Sequence, residues 1–324
     1  MKKRKLISLV DIVNLVHPIP TDRNKTALEL LVKGELKNTQ TWESKLSQAG
    51  QLAQNEEELS NLKSEAWSEL IETRKLGYFA LLKNLRNIIE QSPKSIVKAC
   101  EMLVDENLIK KSRVMPFRFA TAYEEISKLP STREVRDVLV AINVALEKSV
   151  SNVPKLEGET LVVLDVSGSM SGKPSDIASL FASILLKSNN CDIMTFANSS
   201  SYKSYNPNDS LLTIRDGFRF SGGGTNIRSV FTTANKAYDN IIILSDFQAW
   251  IGHETPVADF NKYKSKYNCN PNVFSWDLNG YSTMQFPENN VFCLAGFSEK
   301  VFDVMEVIRK DKKTLVKEIE SIQL

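Results

Sequence analysis

Asp165-Val-Ser167-Gly-Ser169 sets a carboxylate and two hydroxyls at alternate positions just after the apolar run Thr160-Leu-Val-Val-Leu164. Two other segments carry the same oxygen chemistry. Phe220-Ser-Gly-Gly-Gly-Thr225 brings a threonine behind three glycines, and Ile243-Leu-Ser-Asp246 ends a second apolar run on an aspartate. A donor set made only of oxygen suits a hard divalent cation. Mg²⁺ takes six oxygens at about 2.0–2.1 Å and keeps some of them as water. Asp165, Ser167, Ser169, Thr225 and Asp246 are therefore expected to hold one Mg²⁺, with Mn²⁺ or Ca²⁺ as the other candidates. Gly168 allows a tight turn that aims both serines at one point, and Gly222 to Gly224 let the backbone carry Thr225 close.

Other chemistries fit less well. Gly168-Ser-Met-Ser-Gly172-Lys-Pro174 has three residues between its glycines, where a phosphate-binding P-loop needs four, and proline where that loop has Ser or Thr. The chain has two histidines, His17 and His253, neither beside a cysteine pair, so neither a zinc site nor a Ser–His–Asp triad is expected. Nothing in the sequence sets a general base next to the oxygen cluster, so the expectation is a protein that is not an enzyme.

These residues need a scaffold. After about residue 155 the pattern alternates strand and helix. Strands are expected at 160–164, 191–196, 240–244, 271–276 and 291–294, and a hairpin around 201–220. Helices are expected at 174–188, 226–238, 255–267 and 299–322. Continuous apolar strands between helices imply a parallel sheet covered on both faces, with ligands beyond the carboxyl ends of its strands. Before residue 155 apolar residues recur at three- and four-residue spacing. Helices are expected at 4–16, 25–36, 41–53, 56–73, 77–91, 93–108, 116–129 and 131–149, joined by short connections. The fold class is thus α plus α/β: an all-α, HEAT-like helical array over 1–155, then a doubly wound domain over 156–324.

Composition excludes some classes of function. Of the 324 residues 42% are hydrophobic and 25% charged, as in a globular protein with a core. No apolar run approaches the roughly 20 residues of a membrane-spanning helix, so no membrane partner is expected. Met1-Lys-Lys-Arg-Lys5 reads as a basic leader to an amphipathic helix, not a targeting segment. Cys100, Cys191, Cys269 and Cys293 are widely spaced, as reduced thiols of a cytoplasmic protein would be. Residues 1–155 hold 25 Lys and Arg against 20 Asp and Glu, and the remainder 16 against 19. The basic first half is compatible with a nucleic-acid partner.

The three oxygen-bearing loops resemble the metal-ion-dependent adhesion site of von Willebrand A domains. Three stretches of the first half resemble the TROVE module of the Ro autoantigen family: Thr41-Trp-Glu-Ser-Lys-Leu-Ser-Gln-Ala-Gly50, Leu76-Gly-Tyr-Phe-Ala-Leu-Leu-Lys-Asn-Leu-Arg-Asn87 and Ser112-Arg-Val-Met-Pro-Phe-Arg-Phe-Ala-Thr-Ala-Tyr123. In that family a helical module precedes an A-type domain, the order expected here. The resemblance implies RNA as partner: single-stranded ends of misfolded transcripts, and small structured non-coding RNA on a basic surface. The helical half is about half the family's usual length, so one chain would form an arc, and ring closure would need a homo-oligomer.

Within that half, Lys83, Arg86, Asn87 and Glu90 share one helix face while Leu81, Leu82, Leu85, Ile88 and Ile89 share the other. Lys83 and Arg86 are expected to hold phosphates, with Asn87 as a hydrogen-bond donor. Arg113 and Arg118, beside a helix start, extend the basic cluster with Lys110 and Lys111. Phe117, Phe119 and Tyr123 could stack on bases, but core packing is the expected role of the two phenylalanines. The expected function is non-catalytic RNA binding, with a divalent cation in the second half. The alternative is a protein-interaction adaptor whose cation captures an acidic side chain of a partner.

Overall fold

A computed structural model describes residues 8–35, 41–206, 208–247, 256–279, 290–295 and 300–310. The parts of the expected helices 4–16, 25–36 and 299–322 beyond those ranges, and His253, lie outside the described residues. One compact unit ends at Leu76 and a second begins at Gly77.

The first unit holds α1 (Leu9–Val16), α2 (Lys25–Val32), α3 (Trp42–Leu52) and α4 (Glu56–Glu72). Its helix starts follow from capping. Asn55 accepts a 2.8 Å bond from the Glu58 amide, and Glu56, Glu57 and Glu58 put negative charge on the amino end of α4. The rings of Trp42 and Trp67 stack 6.0 Å apart and join α3 to α4.

The second unit opens with six helices: α5 (Tyr78–Lys83), α6 (Leu85–Gln91), α7 (Ile96–Leu103), α8 (Glu106–Ser112), α9 (Pro116–Ser127) and α10 (Arg133–Ser149). The single helix expected at 77–91 is two, broken at Asn84. Asn84 is buried; its Nδ2 donates to the Ala80 carbonyl at 2.9 Å and its Oδ1 accepts from Asn87 Nδ2 at 3.0 Å. A polar side chain that bonds the backbone four residues back competes with the helix ladder. The helix expected at 93–108 is likewise divided: a short 3₁₀ turn (Pro93–Ser95), then α7, then α8, which Asp105 starts by accepting from the Asn107 and Leu108 amides.

The chain then alternates: β1 (Thr160–Asp165), α11 (Lys173–Ser188), β2 (Cys191–Phe196), β3 (Ser200–Lys203), α12 (Leu211–Gly217), α13 (Arg228–Thr233), β4 (Asn240–Ser245), α14 (Pro256–Tyr267), β5 (Asn272–Asp277), β6 (Val291–Ala295) and α15 (Lys300–Lys310). The sheet order is β3-β2-β1-β4-β5-β6, parallel except for the β2–β3 pair. The hairpin expected around 201–220 is instead β2 turning into β3, and 211–217 is helical. The helix expected at 226–238 is the shorter α13.

From β1 the chain goes one way to β2 and later the other way to β4. That reversal opens a crevice between the carboxyl ends of β1 and β4, where ligands of such sheets bind. One face of the sheet buries Leu161, Val163, Ile241 and Ile243 against Phe231 of α13 and Phe260 of α14. On α11, Phe181 meets Trp276 of β5 at 4.2 Å, Phe302 of α15 at 5.7 Å and Phe117 of α9 at 5.7 Å. Helix α9 therefore shares a core with the sheet domain. Two ion pairs run beside it, Arg215 with Glu124 at 2.9 Å and Lys187 with Glu147 at 3.0 Å. The change from helix to strand falls between Asn152 and Thr160, yet this compact unit spans it.

Candidate functional site

The β1–β4 crevice gathers the oxygen-bearing residues. Asp165 ends β1, and Asp246 follows β4; both are fully buried. The Ser167 amide donates to Asp165 Oδ1 at 2.9 Å, and Ser245 Oγ donates to Oδ2 at 2.5 Å. The hydroxyls of Ser167 and Ser169 lie 3.3 Å apart, and Ser169 Oγ donates to Asp246 Oδ1 at 3.0 Å. The third loop is tied to the first by two backbone bonds, Gly222 N to Val166 O at 3.1 Å and Gly168 N to Gly223 O at 3.1 Å. Gly222 and Gly223 adopt φ of 76° and 96°, which a side chain would strain.

Thr225, next in that loop, is buried, and its Oγ1 has no hydrogen-bond partner; Asp246 Oδ2 is in the same condition. Leaving a buried polar atom unpaired costs about 1–3 kcal/mol, more when it is charged. Burial pushes the Asp165 carboxyl above the usual carboxylate range. Hydrogen bonds from Ser245 and Ser167 pull it back, and the neighbouring Asp246 pushes it further up. Among the described residues neither aspartate is paired with a Lys or Arg. Two buried acids, two unsatisfied oxygens and two hydroxyls are a donor set that a hard divalent cation would complete. Ser169 and Gly168 are exposed, so the cluster opens to solvent on that side. Phe247, next after Asp246, has φ 54°, an outlier for a bulky residue, and its amide is held by Ser245 Oγ at 3.0 Å.

A second constellation lies in the helical part. Lys83, Arg86 and Arg118 line one cleft of about 280 Å³ between α5, α6 and α9, together with Phe79, Leu82 and Glu125. The three cations are exposed. The Arg118 guanidinium sits 5.8 Å from the centre of the Phe79 ring, and Phe79 is itself largely exposed. Arg86 Nε bonds Glu90 at 2.9 Å, one turn on. Asn87 spends one amide hydrogen on Asn84. Arg113, exposed with φ 54° at the end of α8, is not among the residues that line this cleft. Phe117 and Phe119 are core residues, 2% and 0% exposed.

Sequence reasoning missed Ser245 and Phe79. Ser245 directly precedes Asp246 at a strand end, a position that could have suggested a brace. Phe79 stands one helical turn before Lys83 and on the same face, a signal easily taken for core.

The TROVE domain family matches residues 33–167. The matched stretch is less than half of the chain, and over it the chain resembles the TROVE domain. A stretch of 97 residues is 33% identical to Telomerase protein component 1 of Mus musculus, covering 29% of this chain and only 3% of that much longer protein. In fold, the chain resembles the crystal structure of the Deinococcus radiodurans RO (RSR) protein, with a TM-score of 0.67 at 20% identity, over 95% of this chain and 72% of that one. The likeness supports the α plus α/β architecture of this chain. Among its described residues no helix is long and apolar enough to cross a membrane.

Proposed function

We propose that this protein, like the TROVE/Ro family that its residues 33–167 resemble, binds RNA, without catalysing its conversion, through the cleft between α5, α6 and α9. The observation that carries the reading is the meeting of Lys83, Arg86 and Arg118 around the exposed Phe79 ring. The cations would hold phosphates and the ring would stack on a base. Small structured RNA, or the single-stranded end of a misfolded RNA, are the ligands this would suit. The second half carries a divalent cation, Mg²⁺ by preference, on Asp165, Ser167, Ser169, Thr225 and Asp246. The unpaired Thr225 Oγ1 and Asp246 Oδ2 support that assignment. The cation neutralises the two buried carboxylates and fixes the three loops. The free thiols of all four cysteines fit a cytoplasmic protein.

The test is fluorescence anisotropy with an RNA hairpin bearing a single-stranded 3′ tail, at two salt concentrations. Binding should weaken with salt, and the Lys83→Ala, Arg86→Ala double variant should bind more weakly with a shallower salt slope, by roughly 0.7 per lost contact on single strands. Absence of binding by well-folded protein refutes the reading. The open side of the oxygen cluster at Ser169 supports a second reading, capture of an acidic side chain of a protein partner. In that case Asp165→Ala or EDTA abolishes partner capture, and RNA is not bound at all.

A further inference from the structure

A further cavity lies neither in the helical cleft nor at the oxygen cluster. It is a pocket of about 540 Å³ between β3, the 217–223 segment and the turn after β2. Lys203 of β3 and Arg219 line it from separate elements, and none of its lining residues is Asp or Glu. Both cations are exposed, and neither has a carboxylate partner among the described residues. Arg219 Nη1 is held only by neutral acceptors, the Asp216 carbonyl at 2.6 Å and the Phe218 carbonyl at 3.4 Å. The charge of both side chains is therefore available to a ligand, and their aim is fixed at the Arg219 end.

The rest of the lining is rich in hydrogen-bonding groups: the hydroxyls of Ser199, Ser201 and Tyr205, and the Asn198 amide. Asn198 is braced, since its Oδ1 accepts from the Gly224 amide at 2.9 Å and its carbonyl from Asn226 Nδ2 at 3.0 Å. The half-buried Tyr205 ring packs 4.9 Å from Phe218, and a methyl group on Gly217 would sit 3.4 Å from it. It is a firm aromatic surface at the pocket wall. Two uncompensated cations match the charge of about −1.5 to −2 of a phosphomonoester. The volume falls in the range of small-molecule sites, roughly 300–1,000 Å³.

We propose that this pocket binds a phosphorylated ligand of nucleotide size, with its phosphate on Lys203 and Arg219 and its ring against Tyr205. A free mononucleotide and the 5′-phosphorylated end of a strand share that chemistry. The proposal does not depend on the helical cleft.

Isothermal titration of the full chain tests it with AMP, adenosine, inorganic phosphate and a four-nucleotide RNA carrying a 5′-phosphate. AMP should bind, and adenosine and inorganic phosphate should each bind at least tenfold more weakly. Lys203→Gln and Arg219→Gln should each lower AMP affinity about tenfold, with far-UV circular dichroism confirming the fold. The Lys83→Ala, Arg86→Ala variant should bind AMP like the parent, which separates this site from the cleft. Tighter binding of the oligonucleotide than of AMP supports the proposal with a strand end as the source; equal or weaker binding supports it with a free nucleotide. Adenosine or inorganic phosphate binding as well as AMP, no binding of AMP at millimolar concentration, or unchanged affinity in both folded pocket variants overturns it.

Discussion

Phe117 of α9 and Phe181 of α11 stack 5.7 Å apart with planes 19° from parallel, and by this contact a helix of the TROVE stretch enters the core of the sheet domain. Both rings are fully buried or nearly so. Phe117→Ala should cost about 3–5 kcal/mol, as large-to-small changes of buried aromatics do. Helix α9 and the sheet domain should also melt together. Differential scanning calorimetry of the variant should show one lowered transition for this unit; a sheet domain that melts at its original temperature would contradict the shared core.

The cation assignment makes a prediction of opposite sign with and without metal. Thr225 Oγ1 has no partner, so Thr225→Val should leave thermal stability in EDTA unchanged or raised. In saturating Mg²⁺ the parent should gain about 2.7 kcal/mol when the ion stands at a hundred times its dissociation constant. For a chain of 324 residues, at about 2.1 cal/mol/K of unfolding entropy per residue, that is a rise of roughly 4 °C. Thr225→Val and Asp246→Ala should lose most of that rise. A Thr225→Val protein that is destabilised in EDTA would mean the hydroxyl has a structural partner instead.

Glu90 competes with RNA for Arg86, because the two side chains already pair at 2.9 Å on an exposed helix face. Such pairs are weak. Glu90→Gln should therefore strengthen RNA binding by roughly twofold, measured by the same anisotropy titration, while Lys83→Ala weakens it. Weaker binding in Glu90→Gln would place the ligand elsewhere than on this face.

Acid should act through Asp259. Burial pushes its carboxyl up, but hydrogen bonds from Arg228 at 2.6 Å and Lys262 at 3.3 Å outweigh that and hold it below its ordinary value of 3.8. A carboxyl lowered in the folded state contributes stability that is fully present above the unfolded value and is lost as pH falls through the folded one. The stability difference between the parent and Asp259→Asn, from urea denaturation, should stay constant from pH 5 to 7 and shrink below pH 4. A gap that does not change down to pH 3 would rule out this linkage.

Much of this was legible in the residues, for identifiable reasons. Strands β1 and β4 are apolar on both faces, and that uninterrupted run has no other economical reading. The five oxygen-bearing residues sit where loops must turn, and glycine spacing marks the turns. Asn84 escaped notice because an amide on a helical period looks like a solvent-facing residue; only the fold reveals that it is buried and bonded to Ala80. The strand β3 is too short and too polar to announce itself, so its Lys203 was not singled out, and neither was the pocket it lines. Lys83, Arg86 and Arg118 were named from separate segments, but their meeting around Phe79 depends on how α9 packs on α5 and α6, which no local pattern records.

The two backbone bonds between the 166–168 and 222–223 segments carry a thermodynamic consequence. Gly223 faces both ways: its carbonyl accepts from Gly168, and a Cβ on it would meet Asn198 of the Lys203 pocket at 3.0 Å. The same loop thus borders both proposed sites. Any effect of a cation at Asp165 and Asp246 on affinity at Lys203 and Arg219 must then be returned by the same factor, since coupling free energy between two sites is reciprocal. On the two proposals taken together, raising Mg²⁺ should change AMP affinity and AMP should change Mg²⁺ affinity by the same factor, which titration of each in the presence of the other checks.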